Sequence, residues 1–143
     1  MVDLRGFGYS GGARGCAELR ELENDVIALL RNARADLPLF IYGHSLGGLV
    51  IIKLLLDKPE LNISGCILTS PLLGLAKNMH FNWIKRQFMH YLGDYLADFI
   101  VNSRVNPTAL TKKTKYLHTI FDDRLMIPFM SVKMAKYIFE GLD

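Results

Sequence analysis

Gly43-His44-Ser45-Leu46-Gly47 is the stretch of this chain best suited to chemistry. It sets a serine in a G-x-S-x-G pattern between two apolar runs, 39–42 and 46–56. A serine hydroxyl is a weak nucleophile and needs both a base and a fixed direction of attack. A sharp turn from a buried strand into a buried helix supplies the direction, because it lifts the hydroxyl to the carboxyl edge of a sheet. Strand and helix pass closely at such a turn, which predicts small residues two before and two after the serine. Gly43 and Gly47 meet that need. The Leu46 N–H, at the helix start, would face a developing oxyanion. Ser45 is therefore the candidate nucleophile and Leu46 the backbone oxyanion donor. Gly43, His44 and Gly47 are the structural members of this nucleophile elbow. His44 adjoins Ser45, but neighbours on a tight turn point in different directions. Its expected role is packing or hydrogen bonding, not that of the base.

Other reactive residues carry weaker signals. His80, His90 and His118 share no metal-ligand spacing with one another or with Cys or acid pairs, so no metal is expected. Gly6-Phe7-Gly8-Tyr9-Ser10-Gly11 fits G-x-G-x-x-G. A dinucleotide fingerprint also needs a full strand before it, a helix opening at the third glycine and an acid at the end of a second strand. Here Gly11 runs into Gly12-Ala13-Arg14-Gly15, and Glu23 and Asp25 fall inside a helical stretch, so that reading is set aside. Cys16 and Cys66 do not make a disulfide framework. Cys66 lies in an apolar run, which predicts a buried free thiol.

The elements around the serine follow from periodicity. Residues 2–4 read as the end of a strand. Residues 17–35 read as a helix, with Leu19, Leu22, Val26, Leu29 and Leu30 at three- and four-residue spacing and acids in the first turns. Residues 39–42 read as a strand buried on both faces, 46–56 as a buried helix and 63–69 as a second buried strand. Strand alternating with helix predicts a parallel sheet with crossover helices, an α/β class over residues 1–71. After Pro71 the texture becomes helical. Residues 83–100 carry the stripe Ile84, Phe88, Leu92, Tyr95, Leu96 and Phe99, Asn106-Pro107 marks a turn, and 112–121 and 130–142 read as helices. Residues 72–143 are thus expected to form a helical layer.

Composition agrees with a folded α/β chain. The 143 residues are 50% hydrophobic and 22% charged, with a net charge of +3. Residues 1–71 are close to neutral, so the basic excess belongs to the second half. It is too mild and too scattered to predict a nucleic-acid partner. The longest apolar stretch, 37–56, contains Pro38, His44, two adjacent glycines and Lys53, and reads as strand, turn and helix rather than a membrane span. Nothing at Met1-Val2-Asp3-Leu4-Arg5 has the form of a signal peptide. A cytoplasmic or membrane-peripheral location is the expectation.

Three blocks together resemble one family. Asp3-Leu4-Arg5-Gly6-Phe7-Gly8-Tyr9-Ser10-Gly11-Gly12, continued by Ala13-Arg14-Gly15, resembles the loop after the fourth strand of α/β-hydrolases of the monoacylglycerol lipase and serine aminopeptidase-like group. Gly43-His44-Ser45-Leu46-Gly47-Gly48 is similar to that group's nucleophile elbow, and Leu68-Thr69-Ser70-Pro71 to its sixth strand. Residues 77–143 resemble the start of its helical cap. The resemblance implies an α/β-hydrolase sheet, incomplete here, with a partial cap over 72–143. It implies a serine hydrolase acting on carboxylic esters, with a lipid or acylglycerol as substrate and no metal or organic cofactor. It also implies a catalytic acid, a histidine and a second oxyanion donor that these residues do not supply. The triad order is Ser, acid, His, yet Asp122, Asp123, Glu140 and Asp143 all follow the last histidine, His118. The acids before it, Asp57, Glu60, Asp94 and Asp98, lie in expected helices or loops. The chain is therefore expected to be an internal piece of a hydrolase and inactive by itself, or else a non-catalytic interaction or assembly subunit on the same fold. Peptidase and thioesterase activity stay open beside esterase. A protein partner covering exposed sheet edges, and peripheral membrane contact through Lys77, Lys85 and Arg86 of the cap, complete the expectations.

Overall fold

The structure is a computed structural model that describes residues 1–74, 87, 90–97, 99–102, 108 and 111–142. Its chain divides into two compact units, Met1–Ala17 with Phe81–Lys136, and Glu18–His80 with Tyr137–Asp143.

The unit that holds Ser45 contains helix α1 (Leu19–Leu30), strand β1 (Phe40–His44), helix α2 (Leu46–Asp57) and strand β2 (Gly65–Thr69). The two strands pair in parallel, Phe40 opposite Gly65 through His44 opposite Thr69. The crossover between them is α2, as parallel pairing requires. At the head of α1 the Glu21 carboxylate accepts the Glu18 N–H at 3.0 Å. This is one arm of a capping box that fixes the helix start. The helix stops earlier than the sequence pattern suggests. Beyond Leu30 the amides of Asn32 and Ala33 turn to the carbonyls of Leu29 and Leu30, three residues back, which tightens the chain out of α geometry. Leu22, Leu49 and Leu54 are fully buried and form the core of this unit with Val50. Each contributes roughly 1.5–3 kcal/mol through burial.

Several expectations are corrected here. Strand β1 is not buried on both faces. Phe40 and Tyr42 are each 63% exposed, because β1 pairs only with β2 among the described residues and no described layer covers that face. Cys66 is exposed and is not a buried thiol. Helix α2 is buried along Leu49, Val50, Ile51 and Leu54 but not all round, since Leu56 faces solvent.

The other unit opens with the glycine-rich segment, and residues 2–4 are not a strand. They begin a loop closed on itself. Gly6 N–H donates to Gly11 O, Gly15 N–H to Gly6 O, and Tyr9 N–H to the Asp3 carboxylate at 2.9 Å. Arg14 ties the loop to Gly8 O and to Leu125 O, at 2.7 and 3.0 Å. Gly15, at φ 66°, lies against the backbone of Phe129 and Met130, where a Cβ would come within 2.9 Å of a carbonyl oxygen. The amides of Gly6, Tyr9 and Gly15 are thus engaged within the chain.

This unit is not purely helical. Strand β3 (Ile100–Asn102) pairs antiparallel with β4 (Phe129–Ser131). The expected helix over 83–100 therefore ends before Ile100, and described residues 93–97 form turns. Ile84, Phe88, Lys77, Lys85, Arg86, His80, Asp98 and the turn at Asn106-Pro107 lie outside the described residues. The expected helix over 112–121 is present as a short 3-10 turn (Thr114–Tyr116) followed by α3 (Leu117–Asp122). The one over 130–142 is shorter: β4 occupies its start and α4 spans Val132–Gly141. The buried Ser131 hydroxyl accepts the Met134 N–H and caps α4, so the strand ends where the helix is capped. Lys136 donates to Asp94 at 2.7 Å and holds that carboxyl below the usual range. Among the described residues no helix is long and apolar enough to cross a membrane.

Candidate active site

Ser45 lies between β1 and α2 with φ 51° and ψ −117°. Holding a non-glycine residue in such a region costs about 1–3 kcal/mol, and it persists only where the surroundings over-determine it. Here they do. The Ser45 N–H donates to Thr69 O at 3.1 Å. The Ser45 carbonyl accepts from Gly48 N–H at 3.0 Å, Leu49 N–H at 3.2 Å and Leu72 N–H at 3.0 Å. One backbone group is held by the neighbouring strand. The other is held by the helix and by the segment that follows β2, itself turned sharply at Ser70 (φ 43°). Leu46 opens α2, so its N–H belongs to the first-turn amides that lack an intrahelical acceptor. Such amides at the positive end of a helix suit a developing negative charge.

The glycines of the turn differ in what they do. A Cβ on Gly43 would meet the Gly47 carbonyl at 2.7 Å and the Ile51 side chain at 2.6 Å. A Cβ on Gly48 would meet Pro71 at 2.7 Å. A Cβ on Gly47 meets nothing within 4 Å among the described residues. The close approach of strand and helix therefore needs Gly43, while Gly48, not Gly47, admits the segment after β2. The sequence motif points at both ends of the turn without saying which glycine faces the strand.

His44 Nδ1 lies 3.0 Å from Thr69 Oγ1, and the Tyr42 hydroxyl lies 2.7 Å from the same oxygen. The imidazole is thus engaged with the next strand. Tyr42, Thr69, Gly48 and Leu72 are the members of this arrangement that sequence reading passes over. Only the doubled glycine at 47–48 and the Ser70-Pro71 break hint at them. In the other unit, His90 packs edge-on against Tyr91, and His118 Nε2 lies 3.4 Å from Thr119 Oγ1. No group of three or more His, Cys, Asp or Glu among the described residues is placed to hold a metal ion.

A strained serine at a strand-to-helix turn occurs on many folds, and comparison with known proteins narrows them. The family profile described as serine aminopeptidase, S33, matches residues 1–143. The chain belongs to this family. Its fold is that of the α/β-hydrolases. The structure superposes on the crystal structure of a monoacylglycerol lipase from Paleococcus ferrophilus with a TM-score of 0.85 and 23% identity, covering 98% of this chain and 52% of that one. A soluble variant of monoglyceride lipase from Saccharomyces cerevisiae, solved with a substrate analogue, gives 0.81 and 21%, covering 98% and 48%. Among curated relatives, the phospholipase YtpA of Bacillus subtilis is 44% identical over 77 residues, 52% of this chain and 30% of that protein. A putative monoglyceride lipase of Schizosaccharomyces pombe is 27% identical over 131 residues, 87% and 35%. An uncharacterized abhydrolase domain-containing protein of Dictyostelium discoideum is 31% identical over 139 residues, 96% and 15%. The chain spans about half the length of the solved structures it matches, and less of these curated relatives.

Proposed function

We propose that Ser45 is the nucleophile of a serine hydrolase that cleaves carboxylic esters, with acylglycerol-type lipids as the substrate class. The observation that carries this is the Ser45 backbone, held strained on both sides between a parallel strand and a helix. In the reaction the hydroxyl attacks the acyl carbonyl while a histidine takes its proton, and an acid orients that histidine. The Leu46 N–H supplies one donor to the oxyanion. Gly43 and Gly48 allow the close approaches at the elbow, and His44 braces it. Names of relatives that are lipases and a phospholipase support the lipid class. The family's description as an aminopeptidase favours amide cleavage as the second reading.

The partners of the triad are a separate matter. His44 is engaged with Thr69. Asp57 lies 3.8 Å from Lys53, and Asp94 is bound by Lys136. We infer that these 143 residues lack the catalytic acid and histidine, and that residues 72–143 are part of a helical cap. Loss of triad members costs on the order of 10⁴–10⁶ in turnover. The purified chain is therefore expected to hydrolyse p-nitrophenyl esters negligibly, and to take up a fluorophosphonate slowly and only at Ser45. Peptide mapping of the adduct in the unaltered chain and in Ser45→Ala decides this. An adduct elsewhere, or none after prolonged exposure, refutes Ser45 as the nucleophile. Rapid labelling abolished by Ser45→Ala shows that a base is present within the chain. Where turnover can be measured, paired ester and aminoacyl-amide substrates separate the two substrate readings.

A further inference from the structure

We propose that Thr69 is a positioning residue for Ser45, acting on the turn from the neighbouring strand through both its backbone and its hydroxyl. The inference rests on the reading of Ser45 as nucleophile and adds a residue that the motif does not contain. Three contacts converge on Thr69. Its carbonyl accepts the Ser45 N–H at 3.1 Å. Its Oγ1 lies 3.0 Å from His44 Nδ1 and 2.7 Å from the Tyr42 hydroxyl. Register explains the convergence. Thr69 is the partner of His44 across the parallel pair, and Tyr42 lies two residues back, on the same face of β1 as His44. One hydroxyl on β2 thus grips two side chains of β1, while the same residue's carbonyl holds the first residue beyond that strand.

The direction of the Tyr42 bond follows from donor strength. A phenol is a better donor than an aliphatic hydroxyl, so Tyr42 donates to Thr69. With one proton to give and two lone pairs to receive with, the Thr69 hydroxyl can serve Tyr42 and His44 Nδ1 at once in either imidazole tautomer. The relay fixes the ring beside the turn and makes the end of β1 stiff where it must hand over to Ser45. Strain at Ser45 persists only if the last strand residue cannot relax. Thr69 supplies that resistance on the strand side, as Leu72 and α2 supply it on the other.

The test uses the whole chain with Thr69→Val, which keeps the shape and β-branching, and Thr69→Ser, which keeps the hydroxyl. Amide hydrogen exchange at Ser45 and Leu46 and the ¹⁵N resonances of the His44 ring are read by NMR, with the Leu22 amide as a distant reference. Thr69→Val should speed exchange at Ser45 by ~3- to 10-fold relative to Leu22, the range expected for one ordinary hydrogen bond. It should also move the His44 Nδ1 resonance to its water-exposed position. Thr69→Ser should restore both. Unchanged exchange and ring resonances in Thr69→Val, or a Thr69→Ser that behaves like Thr69→Val, overturns the proposal. Should Thr69→Val not fold, Tyr42→Phe removes the donor alone. It must then shift the His44 resonances, and no shift counts as refutation. None of these readouts needs turnover. A failed assignment of Ser45 shows instead as no phosphonate adduct at Ser45 in the unaltered chain.

Discussion

At the scale of the residue, three glycines that look alike in the sequence have unequal parts. Gly43 faces the backbone of Gly47, and Gly48 faces Pro71, both closer than a Cβ tolerates. Gly43→Ala and Gly48→Ala should each destabilise the chain by ~1–3 kcal/mol, as overpacking does. Gly47 has open space beside it among the described residues and does not have positive φ. Gly47→Ala should be neutral or stabilise by ~0.4–1 kcal/mol through the unfolded state. Urea unfolding midpoints of the three variants check the order. A Gly47→Ala as damaging as Gly43→Ala refutes this assignment. The strand-to-helix turn at Ser45 was legible, because an apolar run, a small residue, the serine and a second apolar run follow one another in the sequence. Thr69 was not. Its role depends on which residue of β2 lies opposite His44, and register between strands 25 residues apart leaves no local mark.

At the scale of the element, α1 and α2 lie against each other, and Leu22 of α1 and Leu49 and Leu54 of α2 are fully buried. Leu54→Ala removes side-chain volume from a site with no solvent access and should cost ~2–5 kcal/mol, read as a lower denaturation midpoint. Glu23 of α1 is a smaller, pH-dependent term. Burial pushes its carboxyl above the ordinary 4.5, Asp57 adds to the rise, and Lys53 and Arg20 oppose it. An acid with a raised folded pKa binds its proton more tightly when folded, so stability falls as pH rises from 4.5 through the raised value. At neutral pH the charged Glu23 is thus slightly unfavourable. Glu23→Gln should raise the thermal midpoint at pH 7 and leave it nearly unchanged at pH 4. Equal shifts at both pH values would show that the carboxylate is not the cause. The helices and the β1–β2 pair were readable because each repeats its apolar residues over ten residues or joins a run to a glycine or proline break. Strands β3 and β4 were not, since three residues carry no period. Phe129–Ser131 also joins directly to α4, so its apolar residues merge with the helix pattern.

At the scale of the whole molecule, the β1–β2 pair is the feature with the largest consequence. Phe40 and Tyr42 lie on one face of β1, and Ile67 is the register partner of Tyr42, so the three share that face. They are 63%, 63% and 58% exposed. Phe40 lies against Gly65, where no side chain separates its ring from the strand backbone. The result is an apolar patch on a sheet whose two strands pair only with each other among the described residues. Unpaired strand edges beside an exposed apolar face are the usual route to association between chains. Each of these side chains gains roughly 1.5–3 kcal/mol if it is fully buried. A contact that covers all three can therefore offset much of the entropy lost on association. The 143-residue chain should sediment as oligomers at concentrations where a domain with a closed sheet is monomeric. Phe40→Thr with Ile67→Thr places a β-branched residue at both positions while removing most of the apolar area. That pair should shift the sedimentation profile toward monomer and raise solubility, with the far-UV spectrum unchanged. Tyr42 is left in place in this variant because its hydroxyl serves Thr69. A sharply monomeric unaltered chain would mean that the face is covered within the chain itself. Association unchanged in the double variant would place the contact elsewhere on the molecule.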